Sequence, residues 1–343
     1  MIRLSAGSAA ALQLKTVQAD ILPTTVYLLQ GTACRGACLF CPLGRHSASR
    51  SRIFLGRITW PVFAQAELEK PLSQAAQQGL QRICLQSVVE DTLEQSLLPT
   101  LRWIKHLSSL PCSVSVRIET LHQAEQLFQA GADRVNIALD TANPLLFARI
   151  KAKSFAETLA LLFSCAERWP GKMSTHLICG LGETEEELLQ AGASILGKNI
   201  TLGLFAFTPL PGTPLAFQPP PNEIQYRRIQ AGLHLLRREP ALFSRFRFLE
   251  GRLTSYGLTS AQLKKRLSTG RAFQTSGCPG CNRPYYNERP GKTMYNYPRA
   301  LAAGELARVL KILLESLAEG EMKGERKMAA PLGSTPGGRS KHE

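Results

Sequence analysis

Three cysteines form the strongest chemical pattern in the sequence: Cys34, Cys38 and Cys41 in the segment TACRGACLFCP. Their spacings of four and three residues, with Gly36 between them, allow three thiolates to wrap around one metal cluster. A [4Fe–4S] cluster has four irons, so three cysteines leave one iron without a protein ligand. That iron could chelate a small molecule through amine and carboxylate groups. A zinc ion with His46 as its fourth ligand is the alternative, although structural zinc ligands usually come in closely spaced pairs.

A second cysteine group occurs near the end of the sequence, where Cys278 and Cys281 stand in SGCPGC. The proline and glycine between them permit the tight turn that brings two thiols together. This favours a metal-binding pair, with a disulfide or a redox pair as the alternative. Two thiolates do not complete a cluster, so another ligand must come from elsewhere in the fold, and Cys84 is the preferred one. The other candidates are Cys112 and Cys179.

Short apolar runs alternate with amphipathic helical patterns along most of the chain. The runs predicted as strands are 24–31, 83–87, 113–119, 134–140, 174–180, 202–208, 246–251 and 271–277. The patterns predicted as helices are 93–107, 122–130, 155–168, 185–196, 223–238 and 301–317. Eight strands alternating with helices predict an α/β fold, a (β/α)8 barrel of the TIM type. The barrel would span residues 24–281, after an N-terminal extension (1–23) and before a lid loop and helix (282–320) and a disordered tail (321–343).

The predicted barrel gives the cysteine groups a position. In (β/α)8 barrels the loops that follow the strands meet at one end, which carries the active site. The first group follows strand one and the second follows strand eight, so both are expected at this C-terminal mouth. Strand 113–119 alternates apolar and polar residues, which turns its polar row, Ser113, Ser115 and Arg117, toward the interior. A polar interior predicts a polar ligand.

Composition and charge restrict the class of protein. Of 343 residues, 44% are hydrophobic and 20% charged, which excludes a disordered or collagen-like chain. No apolar run of about 18 residues and no signal-peptide pattern is found, and with nine cysteines the chain is expected in a reducing cytoplasm. The formal net charge of +15 favours an anionic partner, with solubility as the alternative. A positive rim at the barrel mouth is expected from Arg45, Arg50, Arg52, Arg57, Arg283, Arg289 and Arg299.

The first cysteine group, with Phe40 before its last member, resembles the C-x3-C-x2-C motif of the radical S-adenosylmethionine (SAM) enzymes. The resemblance implies that the open iron of a [4Fe–4S] cluster binds SAM. One-electron reduction would then cleave SAM to methionine and a 5′-deoxyadenosyl radical, which abstracts hydrogen from the substrate. An electron donor such as ferredoxin or flavodoxin is implied as a partner. Arg117 is expected to pair with the methionyl carboxylate of SAM.

Later segments resemble the biotin synthase branch of this family, over about residues 24–280. The segments that carry the resemblance are 119–141, 178–187, 211–216 and 247–252. By this resemblance, Asn136 and Asp140 hydrogen-bond the SAM ribose or the substrate, and Ile178 and Gly180 flank the adenine. The alternatives are a helix cap for Asp140 and ordinary strand packing for Ile178 and Gly180.

The chain also departs from the biotin synthase pattern. Gln86-Ser87-Val88 stands where the family has a Gly-Gly-Glu-like turn, and His176 replaces the first glycine of the strand-five motif. Biotin synthase binds a [2Fe–2S] cluster through three cysteines and an arginine. The positions that match those ligands are Cys84, Ser115, Ser174 and Arg247. Because two of them are serines, biotin synthesis by the usual route is not expected.

Loop 282–299 is rich in Tyr, Asn, Arg and Gly and is expected to act as a substrate lid. Together with the second cysteine pair it resembles the two-component type of lipoyl synthase. The resemblance implies sulfur insertion into unactivated C–H bonds of a protein-bound octanoyl chain, with an auxiliary Fe–S cluster as the sulfur donor. An acidic lipoyl-carrier protein and a second radical SAM protein are implied as partners. The alternatives are another cofactor-biosynthesis reaction without sulfur donation and a non-enzymatic zinc-binding module.

Overall fold

The computed structural model of the chain describes residues 2–31, 34–49, 54–89, 93–288 and 291–329. Its strands are β1 (Ile2–Leu4), β2 (Thr25–Gln30), β3 (Phe54–Leu55), β4 (Ile58–Thr59), β5 (Val62–Phe63), β6 (Arg82–Ser87), β7 (Cys112–Ser115), β8 (Arg134–Asn136), β9 (Met173–Cys179), β10 (Thr201–Ala206), β11 (Arg247–Leu249) and β12 (Arg252–Ser255). Its α-helices are α1 (Ala6–Ala11), α2 (Gln65–Gln74), α3 (Leu93–Leu107), α4 (Leu121–Gln129), α5 (Pro144–Lys151), α6 (Phe155–Arg168), α7 (Glu185–Gly197), α8 (Glu223–Arg238), α9 (Ser260–Leu267) and α10 (Ala303–Ala329).

The central sheet has eight strands in the order β10-β9-β8-β7-β6-β2-β1-β5. From β2 to β10 all neighbours in this order pair in parallel, and helices connect them, so the predicted α/β class with a mostly parallel sheet is confirmed. The first six predicted strands correspond to these six parallel strands. β1 lies antiparallel between β2 and β5, so part of the predicted N-terminal extension belongs to the sheet.

The alternation predicted for strand 113–119 is confirmed on β7. Val114 is fully buried on the outer face toward the helices, whereas Ser113 and Ser115 border an interior cavity. The same pattern holds on β6, where Ile83 and Leu85 are fully buried outside. Because successive side chains of a strand point to opposite faces, the sheet has an apolar outer face and a polar inner face.

The prediction of eight barrel strands is wrong, because the last two predicted strands do not join the sheet. The run 246–251 forms a separate antiparallel hairpin of β11 and β12. Its two turn residues, Glu250 and Gly251, both have positive φ (51° and 75°), which is the type I′ geometry that reverses a chain tightly. The run 271–277 begins with a 3-10 turn at Arg271–Phe273. The parallel part is a six-stranded partial barrel.

The C-terminal loop covers the open side of this partial barrel along the edge of β10. Ser276 Oγ accepts a hydrogen bond from the backbone N–H of Leu204 (2.9 Å). Asn287 pairs with both backbone groups of Ala206, at 3.3 Å to its N–H and 2.8 Å to its carbonyl. These side chains bind backbone N–H and C=O groups at the edge of β10, which a seventh parallel strand would otherwise pair. Buried and half-buried backbone groups need such partners.

The last described element is α10, which packs against the β11–β12 hairpin and α8. This helix extends beyond the predicted end at residue 317 to Ala329, so residues 321–329, predicted as disordered tail, are helical. Residues 330–343 lie outside the described residues. Within the part of the chain that the structure describes, no helix is both long and apolar enough to cross a bilayer.

Candidate functional site

The first cysteine group lies in the loop after β2, at the C-terminal end of the parallel strands, as predicted. The loop is fixed to the end of β6 by a hydrogen bond from the backbone N–H of Arg35 to Val89 O (3.0 Å). Cys34 Sγ accepts the backbone N–H of Gly36 (3.3 Å) and of Val89 (3.4 Å). These two contacts fix the position of the Cys34 sulfur in the loop.

The loop is wound so tightly that glycine is required at two places. A Cβ on Gly44 would lie 2.9 Å from Cys38 O and 3.2 Å from Cys41 O, and a Cβ on Gly36 would lie 3.1 Å from Cys34 Sγ. Burial raises the pKa of Cys38 to about 11 and that of Cys41 to about 12, so binding a metal there has to displace protons. Three soft thiolates in one compact loop fit a [4Fe–4S] cluster with one open iron.

The zinc alternative for this loop finds no support in the geometry. His46 is exposed, and its Nε2 accepts a hydrogen bond from Arg45 Nε (3.1 Å) rather than lying against the cysteines. Among the described residues, no group of three or more Cys, His, Asp or Glu side chains is placed to ligate a single ion. A cubane cluster spreads its ligands over several irons, so this observation bears on zinc and not on the cluster.

The second cysteine group does not lie at the C-terminal mouth, which corrects the sequence prediction. Thr24, at the start of β2, donates through Oγ1 to Gly280 O (2.5 Å), and its N–H donates to Asn282 Oδ1 (2.9 Å). Arg82, the first residue of β6, donates through Nε to Pro279 O (3.2 Å). Because the sheet has six parallel strands instead of eight, the chain returns across its open side to the N-terminal ends of the strands. The two cysteine groups therefore face each other from opposite ends of the barrel.

Cys84, predicted as the third ligand of the second group, lies beside Cys278 and Cys281. All three border an interior cavity of about 270 Å³, and Cys41 borders the same cavity from the other end. Burial raises the pKa of Cys84 well above its usual value, and the neighbouring Cys278 and Cys281 raise it further. The other two candidates, Cys112 and Cys179, are fully buried in the core and do not border the cavity.

Polar side chains of four neighbouring strands line the same cavity. Asn136 Nδ2 donates to Ser115 Oγ (3.0 Å), and Ser174 Oγ lies 3.4 Å from Asn136 Oδ1. Nearer the N-terminal end of β7, Ser113 Oγ lies 3.6 Å from Cys278 Sγ. Asn136 thus borders the cavity. By contrast, Arg247 lies on the exposed hairpin strand β11 and donates to nearby carbonyls, so it does not reach the cavity.

Asp140 lies at the boundary of two cavities and contacts two basic side chains. Its carboxylate contacts Lys151 Nζ (2.5 Å) and His176 Nε2 (2.7 Å). Burial would raise the pKa of Asp140, but Lys151 and His176 hold it well below its usual range. Its φ of 66° is unusual for a residue with a side chain and is fixed by backbone pairing with β9. The helix-cap alternative fails, since Asn143 caps α5.

The remaining predicted cofactor residues have different positions. Ile178 borders the 270 Å³ cavity, whereas Gly180 has a φ of 105° and packs against Pro221 outside it. Arg117 borders a second cavity, of about 230 Å³, together with Cys34, Cys38, Cys41, Asp140 and Lys151. Its guanidinium also pairs with Glu119 (3.2 Å).

Loop 282–299 is a wall of the cavity and not a lid over it. Arg283, Tyr286 and Asn287 border the interior. Glu288 is buried and accepts the backbone N–H groups of Asn287 (3.1 Å) and Asn296 (2.8 Å), which fixes the loop from within.

Two of the seven arginines that were predicted to form a positive rim are engaged elsewhere. Arg283 is interior, and Arg299 pairs with Glu305 (2.7 Å). Arg45 is exposed beside the first cysteine group. Arg50, Arg52 and Arg289 lie outside the described residues.

Sequence reasoning missed several residues of the cavity. Tyr27, Phe205 and Tyr286 line it, and Tyr27 Oη lies 3.1 Å from Cys281 Sγ. The alternation of strand 24–31 could have indicated Tyr27, because it points opposite to the buried Val26 and Leu28. Nothing local indicated Tyr286, whose place depends on the return of the chain.

The sequence of the chain is similar to those of known proteins. The profile of the radical SAM superfamily matches residues 29–193. Biotin synthase from Synechococcus sp. (strain JA-3-3Ab) is 27% identical over 211 residues, covering 59% of this chain and 65% of the relative. Biotin synthase from Allorhizobium ampelinum is 28% identical over 206 residues, covering 58% and 60%. The sequence is thus similar to radical SAM proteins over residues 29–193 and distantly similar to biotin synthase.

Solved structures of radical SAM proteins share the fold. Methylornithine synthase (PylB) gives a TM-score of 0.50 at 14% identity over 84% of this chain and 81% of that chain. The FeFe-hydrogenase maturase HydG from Carboxydothermus hydrogenoformans gives 0.50 at 16% identity over 85% and 65%. The alignments span less than two thirds of the two biotin synthases. The profile match contains the first cysteine group and Asp140 but ends before Cys278, so it does not extend to the second cysteine pair.

Proposed function

We propose that this radical SAM protein inserts sulfur into an unactivated C–H bond of its substrate. The first cysteine group would hold the [4Fe–4S] cluster, and Cys84, Cys278 and Cys281 would hold a second iron–sulfur centre. The observation that carries the proposal is that Cys41 and these three cysteines line one cavity from its two ends. A substrate carbon placed between them is within reach of both centres, which hydrogen abstraction followed by sulfur transfer to the same carbon requires.

The residues of the chain would position the reactants. When bound, the clusters and SAM supply a hydrogen-abstracting 5′-deoxyadenosyl radical and a sulfide. Arg117 and Lys151 place two cations in the 230 Å³ cavity beside the first cysteine group, where a methionyl carboxylate can be bound. Asn136 and Asp140 offer acceptors to hydroxyl groups in the adjoining cavity. The C-terminal loop closes the open side of the barrel and restricts the access of water to a reactive carbon.

The substrate that we propose is an octanoyl chain carried by a lipoyl-carrier protein, as in lipoyl synthase. The support is the apolar part of the cavity wall, which suits an unbranched acyl chain. The apolar residues of this wall are Phe40, Leu55, Ile178, Phe205, Phe207 and Leu210. An acidic carrier, a second radical SAM protein that inserts another sulfur, and ferredoxin or flavodoxin as electron donor belong to the same proposal.

A second candidate is a radical SAM reaction of another cofactor pathway, in which the second centre binds substrate and donates no sulfur. The observation that favours it is the number of ligands. Cys84, Cys278 and Cys281 border the 270 Å³ cavity. Three thiolates leave one iron of a [4Fe–4S] centre open to a substrate group. The distant similarity to biotin synthase supports this second candidate better than the lipoyl synthase candidate.

Isotope labelling separates the two candidates. The full chain is reconstituted anaerobically with iron and ³⁴S-sulfide and then incubated with SAM, reductant and an octanoylated lipoyl-domain peptide. Sulfur insertion predicts ³⁴S in the peptide by mass spectrometry. The Cys278→Ala/Cys281→Ala variant should still form 5′-deoxyadenosine but transfer no sulfur. Its iron should fall from about eight to about four per chain if both centres are [4Fe–4S].

Two results would contradict the proposal. Unchanged iron in the double variant would show that the pair is not a ligand set. A labelled centre with unlabelled product would favour the second candidate. For the carrier, kcat/KM is compared between an octanoylated carrier protein and a short neutral octanoyl peptide as ionic strength rises. A salt loss confined to the carrier supports an acidic partner, and equal salt dependence argues against it.

A further inference from the structure

Two arginines lie at the N-terminal ends of the barrel strands, where Cys278 and Cys281 also lie. Arg82 of β6 is 7% exposed and donates to Ser113 Oγ (2.7 Å) as well as to the carbonyl of Pro279, the residue after Cys278. Arg134 of β8 donates through Nη1 to Thr201 Oγ1 (2.7 Å) and Met173 O (2.9 Å), and its Nε is buried without a partner. Both guanidinium groups therefore lie close to the second cysteine pair.

A third arginine comes from the C-terminal loop itself. The Arg283 guanidinium lies 3.9 Å from the centre of the Phe205 ring and donates to Ser276 O (2.5 Å). The Arg283 side chain is half-buried and borders the 270 Å³ cavity together with Tyr27 and Cys281. Its position two residues after Cys281 ties it to the proposed second centre.

No carboxylate pairs with any of these three arginines among the residues that the structure describes. Glu288 acts on Arg283 only over a longer distance. Its carboxylate is taken up by two backbone N–H groups, and burial raises its pKa, which disfavours its charge. Buried cations without counterions are costly, so natural proteins pair them. The groups that surround these cations are instead the thiols of Cys84, Cys278 and Cys281.

One guanidinium group is linked to a thiol by a bridging hydroxyl, and the other two lie nearby. Ser113 Oγ accepts from Arg82 and lies 3.6 Å from Cys278 Sγ, so it links that guanidinium to that sulfur. Cys278 also acts electrostatically on Arg134, opposing the effect of burial on the arginine pKa. Arg283 borders the 270 Å³ cavity together with Cys84, Cys278 and Cys281.

We propose that Arg82, Arg134 and Arg283 form an arginine cage that supplies the countercharge of an anionic iron–sulfur centre on Cys84, Cys278 and Cys281. The proposal rests on the proposed function, since it takes that centre as given. Reduction adds a negative charge to the centre. Three nearby cations stabilise the reduced form more than the oxidised form, so the cage raises the reduction potential. A higher potential makes the centre an acceptor for the electron that remains when a carbon radical bonds to sulfide.

The test isolates the second centre in the full chain. Cys34, Cys38 and Cys41 are all changed to Ala, and this parent is reconstituted anaerobically with iron and sulfide. Arg283→Met and Arg283→Lys are built in this background. Arg252→Met is the matched control: Arg252 is a half-buried arginine of the β11–β12 hairpin with a buried unpartnered Nε, one hydrogen bond to a carbonyl (Ser316 O, 3.1 Å) and no carboxylate partner among the described residues.

Three readouts are followed: the midpoint potential of the centre, the rate at which a chelator removes iron, and Tm with and without the centre. Arg283→Met should lower the potential and speed the loss of iron about 10-fold. Arg283→Lys should lie between this variant and the parent, and Arg252→Met should match the parent. Without iron and sulfide, Tm of Arg283→Met should be no lower than that of the parent, because the change removes an uncompensated buried charge. A merely structural arginine would lower Tm in both states.

Failure of the proposal is distinguishable from failure of the proposed function. A parent that binds no iron and sulfide overturns both. A centre that assembles, with the same potential and iron retention in Arg283→Met as in the parent, overturns the cage alone. An unchanged centre together with a raised KM for an anionic substrate in the otherwise unaltered enzyme would assign Arg283 to substrate binding and also overturn the cage.

Discussion

The hydroxyl of Tyr27 lies 3.1 Å from the sulfur of Cys281, 254 residues further along the chain. The contact joins β2, the first parallel strand, to the loop that covers the open side of the barrel. Burial raises the pKa of Tyr27 well above its usual value, so the hydroxyl is neutral and able to donate at neutral pH. A hydrogen bond to a ligand sulfur is one of the means by which a protein tunes an iron–sulfur centre.

Tyr27→Phe should therefore lower the midpoint potential of the second centre while leaving reductive SAM cleavage by the first centre unchanged. The cost in unfolding free energy should be about 1 kcal/mol. The control is Tyr226→Phe, which removes a buried hydroxyl bonded to Asn296 (3.1 Å) rather than to sulfur. Redox titration followed by visible absorption measures the potential. Equal shifts in both variants would contradict a specific role of the Tyr27 hydroxyl.

Each of Cys34→Ala, Cys38→Ala and Cys41→Ala should abolish the formation of 5′-deoxyadenosine from SAM. Each variant removes one of three ligands in a single loop, and Cys84 is directed to the other end of the cavity. The control is Cys165→Ala, at a buried cysteine in α6 that borders neither cavity. This control should keep the activity and lose about 1 kcal/mol of stability. Wild-type production of 5′-deoxyadenosine in any loop variant would refute the assignment of the first cluster.

Gly44→Ala should disturb the first cluster although it removes no ligand. Its Cβ would lie 2.9 Å from Cys38 O, a backbone atom that cannot yield without moving the cysteine loop. We expect iron retention at the first centre and SAM cleavage to fall about 10-fold. Gly304→Ala is the control, because a Cβ there meets nothing within 4 Å and alanine favours a helix by about 0.5–1 kcal/mol. Normal iron content and SAM cleavage in Gly44→Ala would show that the tight winding is unimportant.

Asp140→Asn should destabilise the fold by about 3–5 kcal/mol at neutral pH, because it leaves Lys151 buried without its counterion. The pKa of Asp140 is lowered in the folded state. Its contribution to stability is therefore full well above the unfolded pKa of about 4 and is lost as pH falls through the folded pKa. The difference in unfolding free energy between wild type and variant should be constant above about pH 5 and shrink below about pH 4.

Denaturant unfolding at pH values above about 5 and below about 4 measures the difference in unfolding free energy between wild type and Asp140→Asn. Glu167→Gln serves as the control, because it breaks an exposed pair with Lys198 (2.9 Å) that is worth less than about 1 kcal/mol. A gap for Asp140→Asn that widens as pH falls would contradict the assigned ion pair.

Helices were predicted closely because their signals are local. The predicted helices 93–107, 155–168 and 223–238 agree with α3, α6 and α8 to the residue, and α6 and α8 begin with side-chain caps on Ser154 and Asn222. The first cysteine group was also placed correctly, since its strand and loop are contiguous. The prediction of a barrel strand at 246–251 was wrong, because apolar composition alone does not distinguish a buried parallel strand from a hairpin. The Glu-Gly pair at its turn was the overlooked signal.

The second cysteine pair was predicted at the C-terminal mouth of the barrel but lies at the N-terminal ends of its strands. Its position depends on contacts such as that between Asn282 and Thr24, which are 258 residues apart. No local pattern encodes such a contact. Arg283 was assigned to a surface rim for the same reason: arginine is usually exposed, and only the return of the chain places this one inside.

The crossing of the C-terminal loop over the barrel has a consequence for the order of biogenesis. The cysteines of the first loop leave the ribosome within a few residues of one another. Cys84 instead waits for Cys278 and Cys281, which lie far beyond it in the chain, while segments already synthesised begin to fold first. The three cysteines of the proposed second centre can thus meet only after Cys281 has been synthesised, and a chain truncated before Cys278 would retain the first loop but have an uncovered barrel.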